Sequence, residues 1–318
     1  MSARRPAPWA VALWWALALA SANAQDVEVT AATGGVVRFE LEVADLLAAG
    51  ICPLCVEVAP LPGGDVAIAV ARRPAERAYT LEVFTEATTV EGSWVLQAQF
   101  VAFAEAGGRT WTSPWVNLTA APAIALPAQE ARSLGAVRIV PTYRLLASGH
   151  EPAGTHLIRV VYRVRESGSN AAHDLVVDVP SYLVIQAVDA VGAPTDALLS
   201  FDLSRDPGAY VDAVMSGRPL TPRGTAFERI EIATNAPRGY QVTVEVLPIG
   251  GREIDHAPLR DRVTFRGQPA HGRTFRTTAP SSGSTVLIER ADIALTLDGS
   301  EPAGAYRYLI MFRGVTNP

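Results

Sequence analysis

Over most of its length the chain alternates apolar and polar residues in short runs, which is the period of a half-buried β-strand. The run Tyr240-Gln241-Val242-Thr243-Val244-Glu245-Val246 is the clearest case, and residues 79–84, 94–100 and 227–232 follow the same rule. Further strands are predicted at 36–43, 65–71, 138–145, 157–164, 175–179, 182–188, 198–203, 262–265, 272–277, 285–288, 293–297 and 307–313. Turn formers such as Pro62-Gly63-Gly64, Gly107-Gly108, Asp206-Pro207-Gly208 and Gly250-Gly251 separate them. Only 43–49, closed by Gly50, and 210–215 have room for a turn or two of helix. A parallel βαβ fold would need amphipathic helices of about ten residues or more between strands. The prolines spaced from 122 to 302 leave little uninterrupted chain for them. The pattern predicts an all-β chain built of antiparallel β-sandwiches.

An internal repeat divides it. Gly149-His150-Glu151-Pro152-Ala153-Gly154 and Gly299-Ser300-Glu301-Pro302-Ala303-Gly304 share the frame Gly-x-Glu-Pro-Ala-Gly, and a strongly apolar run follows each. Pro presets one turn position and Gly can take positive φ, so the frame reads as a chain reversal between two strands. A second correspondence sets 79–84 and 94–100 against 227–232 and 240–246. Two tandem β-sandwich domains are expected, at 25–167 and 171–318. The polar stretch Arg165-Glu166-Ser167-Gly168-Ser169-Asn170 serves as hinge, with the linker itself at 168–170.

The first 24 residues have the parts of a secretory signal: Arg4 and Arg5, an apolar run over 9–20, then Ala22-Asn23-Ala24 as cleavage site. The run is about 12 residues, where roughly 20 are needed to span a bilayer. Cleavage before Gln25 is expected, with a retained N-terminal anchor as the alternative. The mature protein would then be secreted, periplasmic or at the cell surface, with no transmembrane segment.

Composition narrows the chemistry. The 318 residues are 49% hydrophobic with 25 Gly and 23 Pro, which excludes a disordered or collagen-like chain. All 27 basic residues are Arg, so no Lys is present to form a Schiff base or serve a phosphate loop. The net charge of −5 and the scattered arginines argue against nucleic acid as a partner.

Cys52-Pro53-Leu54-Cys55 has redox-dithiol spacing, but it lies between a predicted helix end and a strand. In an exported chain the simplest reading is a local structural disulfide. Redox activity or half a metal site are the alternatives, and zinc would need two more soft ligands. His150, His156, His173, His256 and His271 form no ligand pair, and solvated turn histidines are expected. Asp255-His256 beside Ser281, Ser282 or Ser284 lacks a nucleophile elbow. No calcium loop occurs, and Asp202, Arg205 and Asp206 read as a charged turn. No catalytic residue, metal ligand or cofactor is expected. After the leader the remaining tryptophans are Trp94, Trp111 and Trp115. Trp94 heads a strand and is expected in the core. Trp111 and Trp115 straddle Thr112-Ser113-Pro114 and are candidates for an aromatic platform for carbohydrate.

The Thr234-Asn235-Ala236-Pro237-x-Gly239-Tyr240 segment and the Ala303-Gly304-x-Tyr306 turn resemble bacterial secreted β-sandwich proteins of the fimbrial and spore-coat-like kind. The resemblance covers about a quarter of the chain. It implies immunoglobulin-like or fimbrial-like domains and protein partners, copies of the chain itself among them. It also implies pairing through a terminal strand, carrying Val36, Phe39 and Leu41 or carrying Tyr308, Ile310 and Phe312. The expected function is that of a non-enzymatic structural or assembly protein of a cell surface or extracellular fibre. The alternative is a soluble binding module for a carbohydrate or protein ligand.

Overall fold

The computed structural model describes residues 27–33, 36–72, 78–87, 94–205, 207–222, 226–249, 257–279, 283–302 and 304–317. The leader at 1–24 lies outside them, as do Asp206, Gly250, Gly251, Asp255, His256, Ser281, Ser282 and Ala303. The chain is predominantly β-strand and divides into two compact units between Val179 and Pro180.

The first unit begins with β1 (Val27–Thr33), β2 (Val37–Glu40), α1 (Val43–Ile51), β3 (Val56–Val58), β4 (Val66–Arg72), β5 (Leu81–Ala87), β6 (Val95–Ala104), β7 (Thr110–Thr112), β8 (Val116–Asn117) and β9 (Ala123–Leu126). It continues with α2 (Ala128–Leu134), β10 (Val137–Ala147), β11 (Gly154–Val164) and β12 (Asn170–Val179). One sheet has the order β1-β4-β10-β6-β7, with β3 also on β10 and β8 on β6; the other runs β2-β12-β11-β5-β9. The sheets face each other, and Phe100 of the first meets Tyr162 of the second edge-on with ring centroids 6.1 Å apart. The alternation foreseen in the sequence is kept: Leu96, Ala98, Phe100 and Ala102 are buried while their neighbours on β6 face outward. Pro141 lies inside β10 but beyond the stretch bonded to β4 and before the stretch bonded to β3, so its missing N–H interrupts no ladder there.

The hinge and the all-antiparallel arrangement expected from the sequence are both corrected here. Residues 165–169 are the turn of the β11–β12 hairpin, where Ser169 O accepts from Val164 N at 2.8 Å and Gly168 takes φ +72°. β12 then pairs with β11 over ten residues, so it belongs to the first unit, which ends at Val179. The polar, Gly-bearing sequence that suggested a linker is equally what a tight hairpin requires. β2 lies parallel to β12, the one parallel pair among the described strands.

The second unit holds β13 (Leu183–Val188), β14 (Pro194–Thr195), β15 (Leu198–Asp202), α3 (Pro207–Ser216), β16 (Arg229–Thr234), β17 (Tyr240–Pro248) and α4 (Ala257–Arg260). After these come β18 (Val263–Phe265), β19 (Gln268–Pro269), β20 (Thr274–Thr277), β21 (Gly283–Glu289), β22 (Ile293–Leu295) and β23 (Ala305–Thr316). They form three sheets, β14-β13-β16-β21, β15-β23-β17-β20 and β19-β18-β22, around a core of Phe201, Phe227, Phe265, Tyr306, Tyr308, Val244 and Ile293. Gly314 on β23 lies so close to β13 that a Cβ there would stand 2.5 Å from Leu183 Cδ2.

The Thr-Asn-Ala-Pro-x-Gly-Tyr segment has a structural role in this unit. Asn235 is buried; its Oδ1 accepts from Tyr182 N at 2.9 Å and its Nδ2 donates to Pro180 O at 2.9 Å. Gly239 takes φ +80°, and its carbonyl accepts from Asn317 N at 3.0 Å. The segment therefore ties both the first and the last described residues of the unit to one turn. Asn235→Ala removes partners from one buried and one half-buried backbone group, and a loss of about 2 kcal/mol is expected in urea unfolding of the protein. An unchanged midpoint would mean that the knot is not what closes the unit.

Candidate functional site

The repeated frame forms the same turn in both units. Glu151 is buried, and its carboxylate accepts from Ser148 N at 2.5 Å and Gly149 N at 2.8 Å. Glu301 accepts in the same way from Asp298 N at 2.8 Å and Gly299 N at 2.9 Å. Gly149 and Gly299 have φ of +83° and +90°, the left-handed region that favours glycine. The residue two places beyond the frame closes the turn: His156 Nε2 lies 2.8 Å from Pro152 O, and Tyr306 OH donates to Pro302 O at 2.5 Å. His156 is buried and meets Trp94 edge-on, so a solvated turn histidine is not what it is. His and Tyr differ as letters, but each offers one polar atom at the end of a flat ring.

Each turn packs against a helix. A Cβ on Gly149 would stand 2.4 Å from Gly50 N in α1, and one on Gly299 would stand 3.1 Å from Val214 Cγ1 in α3. The second turn carries more charge. Arg262 bridges Asp298, at 2.7 Å, and Glu301, and Tyr210 OH donates to Glu301 at 3.1 Å. The guanidinium of Arg262, aided by the Ser300 hydroxyl, holds the exposed Asp298 carboxyl well below the usual range. These carboxylates are consumed by backbone amides and an arginine, which makes them parts of the fold.

The second correspondence read from the sequence does not survive. The strand beside the post-turn strand is β5 in the first unit and β17 in the second, while β6 lies beside β10 and β16 beside β13 and β21. Alternating strands look alike in sequence, so residues 79–84 aligned with 227–232 although their sheet positions differ.

The units also differ at the far edge of the post-turn strand. In the first unit β12 pairs with β11 from Gly154 to Arg163. In the second, β15 covers β23 only from Ala305 to Leu309, and the last contact is Ile310 N donating to Ala197 O at 2.9 Å. From Ala197 the chain turns back to β14, which pairs with β13. Asn317 N donates to Gly239 O on the β17 side, so by alternation the backbone groups of Phe312, Gly314 and Thr316 point to the other side. Among the described residues no strand pairs with that edge beyond Ile310. Val315 beside it is 61% exposed.

The residues singled out in the sequence are placed as follows. Tyr308 and Ile310 are buried and Phe312 is half-buried, facing their own unit's core, so what they leave open is backbone. Phe39 and Leu41 are buried, Val36 is exposed, and Arg38 O of β2 is already taken by Leu61 N at 2.7 Å. Cys52 and Cys55 are joined by a disulfide in an exposed loop after α1, their Cα atoms 5.5 Å apart. Trp111 and Trp115 do not form one platform. Trp111 pairs with buried Ala102 and lies on the core side of its sheet. Trp115 lies under the Arg144 guanidinium at 4.2 Å, and Arg144 in turn donates to Gln97 and Glu57, each at 2.7 Å.

A buried polar cluster was missed. Tyr143 OH lies 2.7 Å from Tyr162 OH and 2.8 Å from His173 Nε2, between the two sheets of the first unit. His173 Nδ1 is buried without a hydrogen-bond partner. Burial pushes the His173 pKa down to about 4, with nearby Asp174 opposing, and raises both tyrosines. Period-two alternation places 143 and 162 inward but does not say that two strands thirty residues apart in number bring His173 to them.

Together these features define a predominantly β protein of two compact units that share a buried-glutamate turn. Among the described residues no group of three His, Cys, Asp or Glu side chains could hold a metal, and no helix is long and apolar enough to cross a membrane. No protein-family model matches the sequence, and no curated protein is significantly similar to it.

The chain is similar to BcpA, the major pilin subunit of Bacillus cereus. The identity is 8% and the TM-score 0.28, over 86% of this chain and 67% of the pilin. It is also similar to a two-domain protein of unknown function from Bacteroides fragilis, at 7% identity and a TM-score of 0.24, over 98% of this chain and 97% of that one. Similarities of this size carry neither protein's role over to this chain.

Proposed function

We propose that this chain is an exported, non-enzymatic structural protein that assembles through the outer half-edge of β23. The observation that carries this reading is the contrast between the two units. The edge of β11 is covered by β12 along its length, whereas the matching edge of β23 is covered only as far as Ile310. A row of backbone donors and acceptors at a sheet edge recruits another extended strand, and folded proteins ordinarily cover or blunt it. The leader read at 1–24 supports export. The shared turn, the helix packed on each copy and the matching post-turn strands support descent of both units from one immunoglobulin-like or fimbrial-like sandwich. The exposed Cys52–Cys55 loop is read as a local structural staple.

The test is the mass and particle shape of residues 25–318, by light scattering and electron microscopy, for the unaltered chain and for Thr316→Pro. Proline there removes one outward N–H while Val315 and Asn317 keep their bonds to β17. Multimers or filaments that dissociate in the variant are expected. A strictly monomeric chain at all concentrations, or multimers indifferent to the substitution, would overturn the reading.

A further inference from the structure

The outer face of the β2-β12-β11-β5-β9 sheet carries a trough of about 240 Å³ lined by Phe84, Glu86, Arg159, Val161, Arg163, Asn170 and Ala172. Three cross-strand rows build it. Glu86 lies opposite Arg159, Phe84 and Ala172 lie on either side of Val161, and Glu82 and Asn170 lie on either side of Arg163. Large side chains in the outer rows and the small Ala172 in the middle one create the depression, whose floor is Val161 and Ala172. Phe84 forms one wall, with the Arg163 guanidinium 5.2 Å from its ring centroid.

The rim mixes donors and acceptors and is balanced in charge, since Arg159, Arg163 and Arg165 stand against Glu82, Glu86 and Asp174, which lies opposite Arg159 on β12. Arg163 donates to Glu82 at 2.7 and 3.1 Å, and Arg165 donates to the other Glu82 oxygen at 2.7 Å, so these groups are fixed. The two guanidiniums hold the Glu82 carboxyl below its usual pKa. Arg159 and Glu86 are looser: they lie 3.8 Å apart, each more than half exposed, and a surface pair of that kind is weak enough for a ligand to part. A neutral ring with one apolar face and a hydroxyl rim satisfies this surface. Its C–H face fits the floor, while guanidinium, carboxylate and amide groups serve its hydroxyls. A charged ligand would gain at one rim group and lose at the next. Drug-sized sites hold roughly 300–1,000 Å³, so this trough suits one ring and not two.

The matching surface of the second unit is built differently. Its positions matching Arg159 and Val161 are Leu309 and Met311, and among the described residues no strand takes the place of Ala172 at that level. We propose that the first unit binds a single neutral pyranose unit, one hexose of a glycan, in the trough over Val161 and Ala172. The alternative of carbohydrate recognition thus moves from the tryptophans to the opposite sheet, and it stands or falls independently of assembly through β23.

The experiment is a titration of isotope-labelled residues 25–318 with glucose, galactose and mannose, and with glucuronate as charged control, followed by amide and arginine Nε shifts. At least one hexose should give saturable shifts confined to the trough residues and bind more tightly than glucuronate. Ala172→Leu fills the floor from an outward strand position and should abolish the shifts. Glu86→Gln, at a largely exposed site where folding is not at stake, should weaken binding about tenfold. The proposal is overturned if no hexose gives shifts at these residues, if glucuronate binds better, or if both variants bind as the unaltered chain does.

Discussion

Replacing Gly149 with alanine is expected to destabilise the first unit by more than about 4 kcal/mol. Two costs combine. The residue has φ +83°, where an L side chain costs roughly 1–2 kcal/mol. The new Cβ would also stand 2.4 Å from Gly50 N, 2.6 Å from Gly50 Cα and 2.7 Å from Leu46 O, all backbone atoms that no rotamer change can move aside. The turn or α1 must shift, and with it the Glu151 carboxylate that holds Ser148 N and Gly149 N. Gly299→Ala is the internal control. Its φ is +90°, but its Cβ meets only Val214 Cγ1 at 3.1 Å, a side-chain atom that can give way. About 1–2 kcal/mol is expected there. Trp94, Trp111 and Trp115 are the tryptophans of residues 25–318 and all lie in the first unit, so fluorescence of that chain in a urea titration reads that unit alone. Circular dichroism follows both units, so a transition seen there and not in the fluorescence belongs to the second. Equal effects at the two glycines would show that the helix contact is not what distinguishes them.

The stability of the first unit should also fall as the solution is acidified through the range of histidine. His173 has a pKa of about 4 in the folded protein and about 6.5 when unfolded. Between those values the unfolded chain takes up a proton that the folded one refuses, so stability rises with pH. The contribution is complete above pH 6.5, is lost as pH falls from 6.5 to 4, and does not change further below that. A shift of this size amounts to about 3 kcal/mol. The groups around the imidazole are Tyr162 from the neighbouring β11 and Tyr143 from β10 of the facing sheet, both neutral throughout, with Asp174 next in sequence, whose charge opposes the shift. Carboxylates elsewhere titrate in the same window, so the informative quantity is the difference between the unaltered protein and His173→Phe. That difference should narrow by about 3 kcal/mol in favour of the variant between pH 7 and pH 4, read from tryptophan fluorescence in urea. A difference that does not change with pH would mean that His173 is protonated or solvated in the folded state.

Much of the local structure is legible in the sequence. The alternation at 240–246, the helices begun at Val43 and near Tyr210, and the duplicated turn all appear in the structure, because each depends on a pattern a few residues long. Misreadings arose where one local pattern serves two ends. Residues 165–170 are as suitable for a hairpin as for a hinge, and only the pairing of β12 with β11 decides between them. The strands at 79–84 and 227–232 share a period and not a sheet position. Trp111 and Trp115 are four residues apart, yet Trp111 of β7 lies on the core side of the sheet while Trp115, in the loop after it, lies under Arg144 on the outer side.

By itself, then, the sequence determined that this protein is β-rich and that it carries one turn twice, since hydrophobic period and turn chemistry act between near neighbours and are written in consecutive residues. Only the tertiary structure decided that the two turns are buttressed by different helices, that Tyr143, Tyr162 and His173 meet in one core, that the trough opens over Ala172, and that β23 is left half covered. Each of those depends on which strands lie side by side. Such pairing is set by the packing of residues far apart in the chain, and many alternating strands satisfy the same local pattern equally well.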